Sequence, residues 1–512
     1  MEAASIGRGR PASAARFVGD AVRARSRAFW IVAGLTLLGA ILRFATLGAQ
    51  AYHHDEIVTA SRVLRVGFGH AMDAVGFSES APPLYYALAW LWTQLTGNGE
   101  WGLRFLSALA GVATIPVAYF VARELRGARA GVIAAALVAT NPMLVWYSQE
   151  ARAYALLGFF CALSLLYCVR ALREGERRDF TWWGVFSFLA LATHYFAVFP
   201  LVAEVILLAR RRGRAILSGL WIVGLAVVLL APLAIHQMSY GHAEWIGKFT
   251  LGHRLGEAGI TFMVGETGDI IGRTETVGPA LLPLALVAAA FALLLARGSR
   301  AERRAAFVPL AVAGVTVGIP LLLALLSAGK DFVLARNLLP ALFPLLVAVA
   351  VALSAERARR LGTAIAAVLA VYSLAFCIWA SADPGLQRPD WRAVADRLGE
   401  PEGPRATVTW VLGEAPLRFY LSTGAIQLKA AEGYDWLVRE VAFVSMGEAP
   451  PPPRRLLGPG FRETGAEDVG PLFIRRYRLL GPELAPLRLR LLRHARTNFR
   501  NNGILLDGVG PG

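Results

Sequence analysis

From residue 28 to residue 380 the chain passes repeatedly through long runs of Leu, Ala, Val, Ile and Phe, each closed by a short polar connection. A helix needs about 20 predominantly apolar residues to cross the hydrocarbon of a bilayer. The pattern predicts an α-helical polytopic membrane protein. Spans are expected near 28–48, 102–122, 130–147, 153–171, 179–193, 195–209, 215–235, 277–296, 306–327, 337–354 and 361–380, about 11 in all. The fifth and sixth are short and share only the Thr193–Tyr195 turn, so they also read as one re-entrant hairpin. The first run is too long for a signal-peptide core and lacks a small-residue cleavage site, so it reads as a retained helix. The chain is 56% hydrophobic and 17% charged, with a mean hydropathy of +0.50, which excludes an ordinary soluble domain. Cys161, Cys168 and Cys377 all lie in apolar runs and imply no disulfide framework.

Charge orients the spans. A net charge of +16 suggests nucleic acid at first sight, but the arginines cluster between apolar runs, as the positive-inside rule requires. One alternating set of connections carries 24 arginines and the other only eight basic residues. No nucleic-acid partner is expected. Residues 1–27 form a cytoplasmic basic N-terminus, 28–380 a transmembrane domain, and 381–512 an extracytoplasmic segment of a bacterial inner-membrane protein. Arg43 and Glu204 fall inside spans near their ends, where local pairing or snorkelling accounts for them.

The external loop 49–101 contains SESAPPLYYALAWLWTQLTG, residues 78–97, whose apolar part is too short to cross. An aromatic helix lying in the interface, begun at Pro82 and Pro83, fits it. Beyond residue 380, RPDWRAVADRLGE places Trp391, Val394, Ala395 and Leu398 at helical spacing. RATVTWVLG and PLFIRRYRL read as strands, giving a small C-terminal α/β domain. The tail at 484–500 is basic and amphipathic, either a surface helix of that domain or a helix lying on anionic lipid.

Four outer connections hold polar groups at one membrane edge: His53, His54, Asp55 and Glu56 after the first span; Gln149, Glu150, Arg152 and Tyr154 after the third; His194 and Tyr195; and Lys330, Asp331, Arg336 and Asn337 before the tenth. Ionisable groups at membrane depth are costly and usually face a cavity. HHDE, PPLYYAL, RFLSALAG, NPMLVWYSQEARAYAL, THYF, RNLLPALFPLL and DWRAVADRL, in this order over residues 28–400, resemble the GT-C glycosyltransferases that use polyprenyl-phosphate sugar donors. The resemblance is to the protein O-mannosyltransferase and aminoarabinose-transferase superfamily, in particular its bacterial glycosyltransferase 39-like members. It implies a GT-C-type fold and transfer of a sugar from the lipid donor to an acceptor hydroxyl by inverting single displacement.

The residues suit that chemistry. The chain has no Gly-rich phosphate loop after a strand and no Asp-x-Asp motif on a soluble domain, so a donor delivered by lipid is expected. Asp55, which matches the family's acidic motif, is the expected catalytic base, with Glu56 either orienting it or merely adjacent. Arg152 and Arg336 are expected at the donor phosphate, with Lys330 as a further cation. Glu150 would hold the sugar, an acceptor or Arg152 itself; a structural ion pair is its bland alternative. His53, His54, His194 and Tyr195 are candidates for sugar or acceptor contacts or plain loop roles. Adjacent histidines seldom ligate together, so no metal site is assigned. A divalent cation, Mg²⁺ or Mn²⁺, stays open beside a phosphate. The acceptor, whether glycan, lipid or protein, is not specified. A flippase for a lipid-linked sugar and a non-catalytic assembly subunit are the rival readings.

Overall fold

The computed structural model describes residues 12–508 except 65–66, 242–245, 267–276, 327–330, 422–423, 428–435, 453–456, 458–459, 482–483, 488–501. In chain order the helices are α1 Ala12–Phe44, α2 His54–Ile57, α3 Phe68–Ser78, α4 Leu84–Thr96, α5 Glu100–Arg126, α6 Ala128–Thr140, α7 Pro142–Ser148, α8 Tyr154–Arg173 and α9 Arg177–Thr193. They continue as α10 Val198–Arg212, α11 Leu217–Met238, α12 Leu251–Val264, α13 Val277–Arg297, α14 Arg300–Leu326, α15 Leu339–Leu353, α16 Arg359–Ala382, α17 Trp391–Leu398 and α18 Val411–Tyr420.

This is a multi-pass membrane protein. Among the described residues eight helical stretches are long and apolar enough to cross a bilayer, or nine if the bent pair α6–α7 counts as one span. Each of the eleven expected spans coincides with helix, but not all meet that length test: α9 has 17 residues. The 44-residue stretch Tyr195–Met238 reads as one span by composition. It folds back on itself, since the Tyr195 hydroxyl donates to Gln237 Oε1 at 2.9 Å. Its returning limb crosses α9 backbone to backbone: a Cβ on Gly219 would stand 2.0 Å from the Phe180 carbonyl oxygen. Small residues allow such close helix approach inside a membrane.

The expected span at 130–147 is two helices meeting at 57°. Pro142 has no N–H to continue α6, and it opens α7 instead, with the Asn141 side chain accepting from Leu144 N at 3.0 Å. Helix α15 is apolar all round and buried at every position but Leu345, which places it at the centre of the bundle. Arg43 does not snorkel. It is fully buried and donates to Ser148 Oγ, Gly39 O, Ala139 O and Val138 O, all at 2.9–3.1 Å. Carbonyls near a helix C-terminus offer acceptors that no apolar run predicts. Glu204 does pair locally, accepting from Ser164 Oγ and Trp183 Nε1 at 2.5 and 2.7 Å.

Side-chain contacts sort the connections into two ends. At one end Arg126 meets Glu302 at 2.8 Å, Arg129 donates to Ser354 O at 3.1 Å, and Arg212 donates to Ala171 O at 2.9 Å. These are the arginine-rich connections. The opposite end carries α2, α3, α4 and the described residues after α16. Helix α4 begins after Pro83, as expected, while α3 was not anticipated.

The C-terminal part is α/β. Its strands are β1 Arg405–Trp410, β2 Ile426–Gln427, β3 Trp436–Val438, β4 Glu440–Met446, β5 Phe461–Val469, β6 Leu472–Leu479, β7 Ala485–Leu487 and β8 Asn502–Asp507. Six form a sheet in the order β2-β8-β1-β4-β6-β5, with β1 and β4 parallel; β3 and β7 pair separately. The two expected strands are β1 and β6, and the expected helix is α17. The expected helical tail instead enters strand β7; the rest of it, 488–500, lies outside the described residues.

Candidate functional site at the polar end of the bundle

After α1 the chain turns and runs extended into His53, which caps α2. The cap is reciprocal: Asp55 N approaches His53 Nδ1 at 3.4 Å, and the Glu56 carboxylate accepts from His53 N at 3.0 Å. Glu56 is fully buried and its oxygens are all engaged. They accept from Arg104 Nε and Nη2, both at 2.7 Å, and from Ala151 N at 2.8 Å. Arg104 spends its remaining donors on the Leu47, Gln50 and Ala51 carbonyls at 2.8–3.1 Å. The pair therefore ties the α1–α2 turn to the α7–α8 turn. Glu56, grouped with Asp55 in the sequence reading, holds the loop from behind while Asp55 faces outward.

Asp55 meets Arg336 at 3.0 Å, and the two side chains keep 27% and 22% of their surface exposed. This is the most open charge pair of the cluster's core. Burial pushes the Asp55 carboxyl up, but Arg336 and then Arg152 outweigh it and hold it well below the usual carboxylate range. Glu56 follows the same logic: burial raises it, Arg104 and Arg388 oppose, and it lies at about 2.

Arg152 lies against the same loop. It donates to Thr59 Oγ1 at 3.0 Å and to the Asp55 carbonyl at 3.4 Å, and grips both oxygens of Glu79 at 3.1 and 2.9 Å. Glu150 does not pair with Arg152. It accepts from Arg388 at 3.1 Å, and that guanidinium lies 4.2 Å from the Trp146 ring centroid. Burial, with Glu56 and Asp55 adding to it, leaves Glu150 above its ordinary value despite Arg388. Glu266 accepts from the Tyr147 hydroxyl, and burial and Glu150 push its carboxyl up.

The remaining candidates make local contacts. His194 accepts from Phe196 N at 3.2 Å and packs against Tyr154. Tyr195 is engaged with Gln237. His54 Nδ1 donates to Leu412 O of α18 at 3.1 Å. Lys330 lies outside the described residues. Among the described residues no group of three or more His, Cys, Asp or Glu is arranged to hold a metal ion.

Sequence reasoning missed Glu79, Arg104, Gln237, Glu266, Arg388 and Glu100. Arg104 carried a signal: a lone arginine one turn inside an apolar run. Glu100 accepts from Arg392 at 2.7 Å and from the Tyr420 hydroxyl at 2.8 Å, and that hydroxyl accepts from Tyr52 N at 2.7 Å. Helix α18 is thereby docked over the acidic loop.

The overall fold matches known structures. The structure of ArnT from Cupriavidus metallidurans in the apo state superposes with a TM-score of 0.55 at 14% identity, covering 88% of this chain and 98% of that one. The chain has the GT-C glycosyltransferase fold. A second ArnT structure from that organism, bound to undecaprenyl phosphate, gives a TM-score of 0.50 at 14% identity, covering 87% of this chain and 97% of that one. The model of the dolichyl-phosphate-mannose-protein mannosyltransferase family matches residues 80–236 of this chain. YkcB of Bacillus subtilis, which carries a provisional mannosyltransferase name, is 29% identical over 110 residues; the match spans 21% of this chain and 15% of YkcB.

Proposed function

We propose that this protein transfers a sugar from a polyprenyl-phosphate donor to an acceptor hydroxyl on the extracytoplasmic side of the membrane. The observation that carries the reading is the Asp55–Arg336 pair, 3.0 Å apart and partly open, with Arg152 of the α7–α8 turn donating to the Asp55 carbonyl. One carboxylate and two guanidinium groups are what activation of a hydroxyl beside a phosphodiester requires. The family model matched at 80–236 and the ArnT fold support the same donor class.

Asp55 takes the acceptor proton as the acceptor oxygen attacks the anomeric carbon. The bond from that carbon to the phosphate oxygen breaks, and its electron pair leaves with the polyprenyl phosphate beside Arg336 and Arg152. One displacement inverts the anomeric configuration. Glu56, Arg104 and Ala151 N keep the two reacting loops in register.

The test is a panel of radiolabelled polyprenyl-phosphate sugars incubated with purified protein and membrane acceptors, with and without chelator. Label is expected to move to an acceptor with release of polyprenyl phosphate. Asp55→Asn is expected to slow transfer by roughly 10²–10⁴-fold while donor still binds. Full transfer by that variant, or passage of intact donor across liposomes without cleavage, overturns the reading. The chelator arm decides whether Mg²⁺ or Mn²⁺ takes part.

A further inference from the structure

We propose that Glu79 competes with the lipid phosphate for Arg152 and so governs release of the polyprenyl-phosphate product. The inference rests on the transferase reading above. Glu79 is 3% exposed, at the end of α3, and presents both oxygens to the two terminal nitrogens of Arg152. That two-pronged geometry is the one a guanidinium offers to phosphate as readily as to carboxylate. The backbone around Glu79 is also held from outside. Gln237 Nε2 donates to Val75 O at 2.9 Å and to Ala81 O at 3.1 Å, gripping the chain on both sides of Glu79, and Tyr195 steadies Gln237 in turn.

Charge explains why such an anion belongs there. Arg336 faces Asp55 and Arg152 faces Glu79, so two cations are matched by two carboxylates. The donor is a phosphodiester with one negative charge. The leaving group is a phosphate monoester, whose second ionisation has a pKa of about 6, so it approaches two. Transfer therefore moves one negative charge from Asp55 to the leaving phosphate, and once Asp55 gives up its proton the negative charge beside the arginines exceeds that of the donor state. Two unopposed guanidinium groups would hold the product more tightly than the donor, and turnover would wait on release. Glu79 repels either ligand, and repels the dianion about twice as strongly, because the Coulomb energy scales with charge.

The experiment measures binding of undecaprenyl phosphate in nanodiscs, with inorganic phosphate in parallel to separate the headgroup from the lipid, and product inhibition during transfer. Glu79→Gln is expected to tighten undecaprenyl phosphate about tenfold, to lower KM for donor less than that, and to lower kcat. Gln237→Leu, which loosens the grip on the Glu79 segment, is expected to shift the same constants in the same direction by a smaller factor. It decides the matter if Glu79→Gln does not fold. Both folded variants binding product no tighter than wild type, while Arg152→Gln weakens it, would overturn the role of Glu79 and leave the transferase reading intact. If undecaprenyl phosphate binds none of the proteins, and no sugar is transferred, the transferase reading itself fails and this inference with it.

Discussion

At the scale of the residue, Asp55 and Glu56 are neighbours in sequence and differ in everything else. Successive helix residues point about 100° apart, so one faces the cleft and the other the protein. Loss of general-base help in Asp55→Asn is expected to slow transfer by roughly 10²–10⁴-fold. Because its carboxyl sits below the ordinary range, Asp55 is already ionised in mild acid, and its titration should not lower the rate between about pH 7 and pH 5. Arg336→Gln removes the largest opposing charge, so the acid limb of kcat/KM should move to higher pH. An unmoved limb would deny that Arg336 sets the Asp55 charge. Glu56 gives a stability prediction. Burial raises its carboxyl, but Arg104 and then Arg388 outweigh that and hold it at about 2, below the ordinary glutamate range. A depressed carboxyl stabilises the fold above its unfolded pKa and loses that contribution as pH falls toward the folded one. Glu56→Gln should therefore lower the melting temperature in micelles at neutral pH and flatten its decline in acid.

At the scale of the element, the close α9–α11 crossing is the sharpest feature. A side chain at Gly219 meets the Phe180 backbone, which cannot step aside as a flexible side chain would. Gly219→Val should cost about 1–3 kcal/mol of stability, measured by unfolding in detergent. Other elements show where sequence reading reaches its limit. Helix α4 was legible from its two prolines and aromatic run. Helix α3, FGHAMDAVGFS, was not: its glycines weaken the helical signal, and its end is held by Gln237 from another span. The α6–α7 bend was written in Asn141–Pro142, yet hydropathy averages over it. Strand β7 was masked by an amphipathic pattern that suits a helix equally well.

At the scale of the whole molecule, the connections that charge counting placed together are the ones joined by contacts at each end. Cysteines at Gln94 and Arg211, both exposed and at opposite ends, should label from outside and from the cytoplasm respectively with a membrane-impermeant thiol reagent. The native cysteines are buried and should stay silent. Labelling of both from one side would refute the two-ended topology. The C-terminal part is tied to the bundle through Arg388, Arg392 and Tyr420. Arg388→Ala strands the buried Glu150 charge and should cost about 3–5 kcal/mol, much of it restored when Glu150→Gln is added. Additive losses in that cycle would mean the two residues act independently.

Hydropathy and charge are properties of short stretches, so the sequence by itself determined the helical membrane bundle and the grouping of its connections, and the family resemblance singled out Asp55, Arg152 and Arg336 as candidates. Which cation faces which anion was decided only by tertiary structure. Arg336 and Asp55 are 281 positions apart, and Arg152 finds Glu79 rather than its near neighbour Glu150. Ion pairing depends on where packed helices set their ends in space, and no local pattern along the chain encodes that distance.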